Sequence, residues 1–269
     1  MKKISLLVFA FTLIMIGCRQ TSTQYLKSGK AKYDLQDYVG AFTDFNKAIE
    51  INPTDADAYY NRGLTRVKLQ DYLRAIKDFS KAIEINPEYA KAYYKKGTAR
   101  IKLKDYKGAI KAFNKAIDID SSDAASYYNR GVAKSRLQDT LGAIADFGKS
   151  LEINPTDADA YYNRGVLKGD LKDHTGAVAD FSKAIEINHK YLGAFFRRAL
   201  AKEDLYDFRG AISDFSKTIE LDSISEQAYF FRGLAKITLN QTENGCLDLS
   251  KAGELGMVEA YDEIKRYCN

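Results

Sequence analysis

This chain of 269 residues predicts an all-α solenoid built from seven helical hairpins, and three recurring series carry that prediction. Gly29, Gly63, Gly97, Gly131, Gly165, Ala199 and Gly233 fall 34 residues apart without an insertion or deletion. Twelve residues beyond each stand Ala41, Ala75, Ala109, Ala143, Ala177, Ala211 and Gly245. Four beyond those come Phe45, Phe79, Phe113, Phe147, Phe181, Phe215 and Leu249. A fixed period of this length marks units that bury their apolar faces only against their neighbours. Such a solenoid offers an extended surface, and lacks the enclosed pocket most enzymes use.

The first element lies outside the repeats. In residues 1–17, Lys2 and Lys3 precede a mostly apolar stretch from Ile4 to Ile16. That is the layout of an export signal, and it is shorter than the ~20 residues of a membrane-spanning helix. The stretch ends Met15-Ile16-Gly17-Cys18, which resembles a bacterial lipobox. The resemblance implies cleavage before Cys18 and lipid on its thiol and amine, leaving residues 18–21 as a tether. Two or more acyl chains would hold the protein stably at a membrane. The expected location is the outer membrane, facing the periplasm. The alternative is a secretion signal followed by an incidental cysteine.

Repeats then run over 22–55, 56–89, 90–123, 124–157, 158–191, 192–225 and 226–255. Taking Ala56–Tyr89 as the type unit, Tyr59, Gly63 and Val67 give the first half helical periodicity. In the second half, Leu73, Ala75, Ile76, Phe79, Ala82 and Ile83 do the same. Asp71 stands between the halves as an N-cap, its carboxylate accepting orphan backbone N–H groups. Asp37, Asp105, Asp139, Asp173 and Asp207 fill the same slot. Asn followed by Pro53, Pro87 or Pro155 ends the second helix, because Pro lacks the N–H and restricts the residue before it.

These spacings resemble the tetratricopeptide repeat (TPR) family from residue 22 to about residue 259. The marks are an aromatic at the fourth unit position (Tyr25, Tyr59, Tyr93, Tyr127, Tyr161, Phe195, Tyr229), the small residue at the eighth, then Ala, an aromatic, a second small residue and Pro. The chain departs from the family at the seventh position, usually apolar, with Arg62, Lys96, Arg130, Arg164, Arg198 and Arg232. Ser121, His189 and Ser223 replace Pro. The resemblance implies a right-handed superhelix whose first helices line a concave groove. Its fifth position maps to Tyr60, Tyr94, Tyr128, Tyr162, Phe196 and Phe230, which would either grip a partner or pack between repeats. Other groove positions map to Lys68, Lys91, Lys102 and Arg136, then to Asp159, Asp170 and Asp204. That distribution would orient an extended segment acidic at one end and basic at the other. A family clamp for C-terminal carboxylates is missing, since its Lys position is aromatic here and one of its Asn positions holds Leu64, Thr98 or Val132.

Residues 256–269 would form a helix covering the open end of the last repeat. Cys246 and Cys268 flank the preceding turn and are either bonded, as exported proteins permit, or free thiols.

The formal net charge is +5, too balanced for an ordinary nucleic-acid binder. Lys32, Arg66, Arg100, Lys134, Lys168, Lys202 and Lys236 form a second basic series, matched by Asp44, Asp78, Asp146, Asp180, Asp214 and Asp248. Basic groups of one helix would meet acidic groups of its neighbour and set the stacking register. Nothing in the two histidines, three cysteines or periodic carboxylates gathers at catalytic or metal-ligand spacing. No cofactor, small-molecule substrate or catalysis is expected. The expected function is a protein-interaction scaffold anchored in the bacterial envelope and binding a protein or extended peptide. Self-assembly into a structural envelope protein and binding of cell-wall glycan are the alternatives.

Overall fold

The computed structural model describes residues 21–268. Residues 1–17, expected as an export signal, and Cys18, expected to carry lipid, lie outside these described residues. Fifteen helices and no strand occur among them. They form seven hairpins: α1 (Ser22–Asp34) with α2 (Tyr38–Ile51), α3 (Ala56–Lys68) with α4 (Tyr72–Ile85), α5 (Ala90–Lys102) with α6 (Tyr106–Ile119), α7 (Ala124–Arg136) with α8 (Thr140–Ile153), α9 (Ala158–Asp170) with α10 (His174–Ile187), α11 (Leu192–Asp204) with α12 (Phe208–Leu221), and α13 (Glu226–Thr238) with α14 (Thr242–Glu254). A short helix α15 (Glu259–Tyr267) follows. The chain is an all-α solenoid of seven repeats and a terminal capping helix. It divides into two compact units, the first ending at Ser121 and the second beginning at Ser122.

Close approach inside each hairpin comes from the small residue of its first helix facing the ring of its second. A Cβ added to Gly63 would lie 2.7 Å from Phe79 Cε1, and one added to Gly97 would lie 2.6 Å from Phe113 Cε1. Phe45, Phe79, Phe113 and Phe215 are fully buried, as is the Ala series four residues before them.

The turn inside each hairpin is one conformation repeated seven times. Gln36, Gln70, Lys104, Gln138, Lys172, Tyr206 and Asn240 all have φ between 59° and 67°, in the left-handed region. In the second repeat, Gln70 N–H donates to Val67 C=O and Asp71 N–H to Arg66 C=O, which is a Schellman closure. Asp71 then caps α4, its Oδ1 accepting from Arg74 N–H at 3.2 Å. The equivalent aspartates of the first six repeats all act in this way. One residue therefore both finishes the first helix and starts the second. In the seventh repeat Gln241 fills the slot without a side-chain cap.

The second helices of the first six repeats end on Asn or Asp whether or not Pro follows. Asn52 Oδ1 accepts from Thr54 N–H at 3.2 Å, and Asn188 Oδ1 from Lys190 N–H at 3.1 Å. This side-chain turn, which Asn and Asp form readily, explains why His189 and Ser223 replace Pro without lengthening the helix.

At the C-terminus, Gly256 takes φ 112°, a conformation that disfavours any side chain. The chain turns there and begins α15 at Glu259, three residues after the expected 256. Ala260, Met257 and Ile264 pack on Leu249, Ala252 and Phe230. Cys246 and Cys268 are joined in a disulfide, their Cα atoms 5.8 Å apart.

Candidate functional site

The basic and acidic series meet inside single hairpins. Arg62 on α3 grips Asp78 on α4 with two bonds, Nη2 to Oδ1 at 2.7 Å and Nε to Oδ2 at 3.1 Å. Arg66, one turn on, reaches Asp78 Oδ2 at 2.6 Å. Arg130 with Lys134 on Asp146, Arg164 with Lys168 on Asp180, Arg198 with Lys202 on Asp214, and Arg232 with Lys236 on Asp248 repeat this arrangement. In the first repeat, Ser28 and Lys32 take the two donor places on Asp44. These carboxylates are only 3–6 % exposed, so their charge needs every donor it receives. At Asp44, burial would raise the pKa, but the hydrogen bonds from Lys32 and Ser28 outweigh it and hold the group below its usual range.

The expectation that these charges join neighbouring helices thus holds within the hairpin, where partners lie 12 or 16 residues apart. Contact with the preceding repeat is secondary: Arg62 Nη1 donates to Asn46 Oδ1 at 2.8 Å, and Arg198 Nη1 to Ser182 Oγ at 3.0 Å. Each of these arginines also lies over the fourth-position ring, as Arg62 does over Tyr59 at 5.3 Å. That triple use explains a guanidinium at a position where the family favours an apolar side chain.

The fifth-position aromatics are half-buried platforms. In the first unit, Tyr60 packs on Phe79 and Tyr89, with centroids 5.9 and 5.0 Å away, and Tyr94 packs on Phe113 at 5.9 Å. In the second unit, Tyr128 packs on Phe147, Tyr162 on Phe181 and Tyr191, and Phe196 on Phe215. Phe230 differs: it is buried in the core beneath α15.

Beside the rings stand the charged candidates, all exposed. Lys68, Lys91 and Lys102 in the first unit form no ion pair among the described residues, nor does Arg136 in the second. Asp170 and Asp204 line one cleft of about 320 Å³ together with His174. His174 Nδ1 lies 3.1 Å from Asp204 Oδ2. Asp159 accepts a hydrogen bond from Tyr191 Oη at 2.6 Å, and in the first unit Asp57 accepts one from Tyr89 in the same way.

The sequence reading missed those two tyrosines. Their signal was positional, since Tyr89 and Tyr191 occupy the slot where Asp55, Asp123 and Asp157 cap the first helices. They forgo the cap and anchor a ring instead. Among the described residues, no three His, Cys, Asp or Glu side chains gather to hold a metal ion, and no helix is long and apolar enough to cross a membrane.

Profiles of the TPR repeat match residues 29–70 and 97–138, and tetratricopeptide-repeat profiles match 56–89, 124–157 and 158–191. The chain belongs to the tetratricopeptide repeat family. TPR units are protein-interaction modules, typically without catalytic activity. The solved TPR structures agree in fold. YrrB, a TPR protein with an unusual peptide-binding site, is 24% identical, with TM-score 0.62 over 68% of this chain and 95% of its own. A TPR repeat-containing protein of Cytophaga hutchinsonii is 18% identical, with TM-score 0.75 over 88% of this chain and 98% of the solved part. A TPR protein of Parabacteroides merdae, 18% identical, gives TM-score 0.63 over 92% of this chain and 99% of its own. Curated protein sequences give no match.

Proposed function

We propose that this TPR protein is a non-catalytic adaptor of the bacterial envelope, exported and held by lipid on Cys18 at the outer membrane, facing the periplasm. Its first helices bind a protein or extended peptide. The observation that supports this reading is the pairing of half-buried tyrosines with exposed lysines that no internal carboxylate neutralises. Tyr60 and Tyr94 offer large, rigid, amphipathic contact area at little rotamer cost. Lys68, Lys91 and Lys102 beside them favour an acidic segment on the first unit. Asp159, Asp170 and Asp204 favour a basic segment on the second. The likeness to YrrB, a TPR protein with an unusual peptide-binding site, is consistent with the same use of the fold.

Partners captured from cross-linked native envelope test the reading. A protein retained by the native chain and lost when Lys68, Lys91 and Lys102 become Glu supports it; identical captures with both forms refute the charged face. Labelling with radioactive fatty acid, lost in Cys18→Ser, tests the anchor separately.

A second reading, self-assembly through the repeat ends, draws on the exposed apolar side chains Leu35 and Val39 in the first repeat and Leu247 and Val258 near the last. A mass by light scattering that rises with concentration would favour it.

A further inference from the structure

The third repeat breaks the charge arrangement that the other six keep. Ala112 stands where Asp78, Asp146, Asp180, Asp214 and Asp248 receive two basic side chains, and where Asp44 receives Ser28 and Lys32. Both basic partners remain, as Lys96 and Arg100 on α5. Lys96 forms no ion pair or hydrogen bond among the described residues. Arg100 turns away to Asp105, to which its Nη1 donates. Its Nε–H stays buried without an acceptor, the one such side-chain atom among the described residues. Burial, and then the charge of Arg100, hold the Lys96 ammonium below its ordinary pKa.

The missing carboxylate leaves space as well as charge. A cleft of about 440 Å³ opens between α5 and α6 over Ala112. Lys96, Arg100, Lys107 and Lys111 stand on its walls, and Asp105 is its one acidic side chain. A half-buried ammonium without a carboxylate and a buried N–H without an acceptor are both costly, so an anion that reaches them is favoured by the desolvation already incurred. The neighbouring repeats define the fit. In the second repeat, Arg62, the equivalent of Lys96, holds Asp78 through Nε and Nη2, and Arg66, the equivalent of Arg100, holds it through Nη1, all at 2.6 to 3.1 Å.

We infer that the cleft between α5 and α6 is a carboxylate-binding site, in which Lys96 and Arg100 take an external carboxylate in the place that Ala112 leaves open. The ligand's carboxylate stands in for the absent aspartate side chain. Arg100 Nε–H and the Lys96 ammonium donate to it, and Lys107 and Lys111 at the mouth favour further negative charge. None of these residues belongs to the partner face proposed above, so the two readings stand or fall separately.

Acetate is the first probe, titrated into the full chain against chloride at constant ionic strength. The Arg100 Nε–H resonance, assigned by its loss in Arg100→Lys, should shift and saturate with acetate. Ligand bound only by the folded state raises stability, so the midpoint of thermal unfolding should rise by about 2–4 °C near saturation. Ala112→Asp supplies the carboxylate internally. It should raise the midpoint without acetate and abolish the acetate response. Lys96→Met removes one donor and should also abolish the response, which keeps the test open if Ala112→Asp folds poorly. Short peptides distinguish the source of the carboxylate: one with a free C-terminus, its amide, and an amide carrying one Glu. Preference for the free terminus assigns a chain end; equal binding of the Glu amide assigns an acidic side chain; response to acetate alone assigns a small free anion. Equal effects of acetate and chloride on the native chain, or an acetate response that survives Ala112→Asp, would overturn the inference.

Discussion

Asp78 is a buried carboxylate whose two oxygens are occupied by Arg62 and Arg66, and its removal would strand two largely buried guanidinium groups. Breaking such a set from one side costs about 3–5 kcal/mol, far more than an exposed pair contributes. Asp78→Ala should lower the urea midpoint of the first unit sharply, whereas Glu84→Ala, which breaks only an exposed pair with Lys81, should leave it nearly unchanged. Glu203 shows the opposite behaviour. Burial, and then the adjacent Asp204 carboxylate, push its pKa up to about 7 from an ordinary value of 4.5. The folded state therefore binds the proton more tightly than the unfolded state. Between pH 4.5 and 7 the folded form holds more protons, so this group's contribution falls as pH rises through that window and then levels off. Unfolding midpoints of Glu203→Gln at pH 5 and pH 8 should differ less than those of the native chain. Pairing partners such as Arg62 and Asp78 were legible as residue types in phase. Their hairpin-internal geometry was not, because a period of 34 says which residues are equivalent and leaves open which equivalent residues touch.

Within each hairpin the governing element is a turn that puts an ordinary side chain in the left-handed region. Gln70 at φ 61° bears a steric cost that Gly would avoid. Gln70→Gly should stabilise the first unit by about 0.5–1 kcal/mol, read as a higher urea midpoint. The same change at Leu73, in the helix that follows, should destabilise by a similar amount, since Gly lowers helix propensity. This turn was the least legible part of the fold. Its usual signal is Gly or Asn, and only Asn240 among the seven carries it. The aspartate caps were fully legible, because a cap depends on a side chain only three residues from its target. The exception in the third repeat was also printed in the sequence, as an Ala interrupting an Asp series. Its meaning required the geometry that sets Lys96 and Arg100 over the vacated position.

For the molecule as a whole, stability in a repeat array is close to a sum of unit and nearest-neighbour terms, so a constraint at one end acts locally. The disulfide between Cys246 and Cys268 fastens α15 to α14 at the C-terminal end of the second unit. Reduction should raise amide hydrogen exchange in α15 and α14 and leave the protection of α7 and α8 unchanged. By the chain-entropy relation, a loop of this length contributes about 3 kcal/mol, felt chiefly by those two helices. Helix count, hairpin order and the terminal cap followed from the repeat, because each unit's apolar face can be buried only on the next. The ligand did not follow, since the repeat states how units stack and says nothing about what their outer surfaces meet.

The aspartate that closes one helix and opens the next leaves the turn no spare residue. An added residue would displace either the left-handed position or the cap, and a lost residue would merge them. The length of this turn is therefore fixed, and added material is tolerated at low cost only outside it or as a whole repeat of 34 residues. A copy that arrives whole is also free to lose a single member of its charge set while its siblings keep the array standing, and the third repeat carries that kind of vacancy.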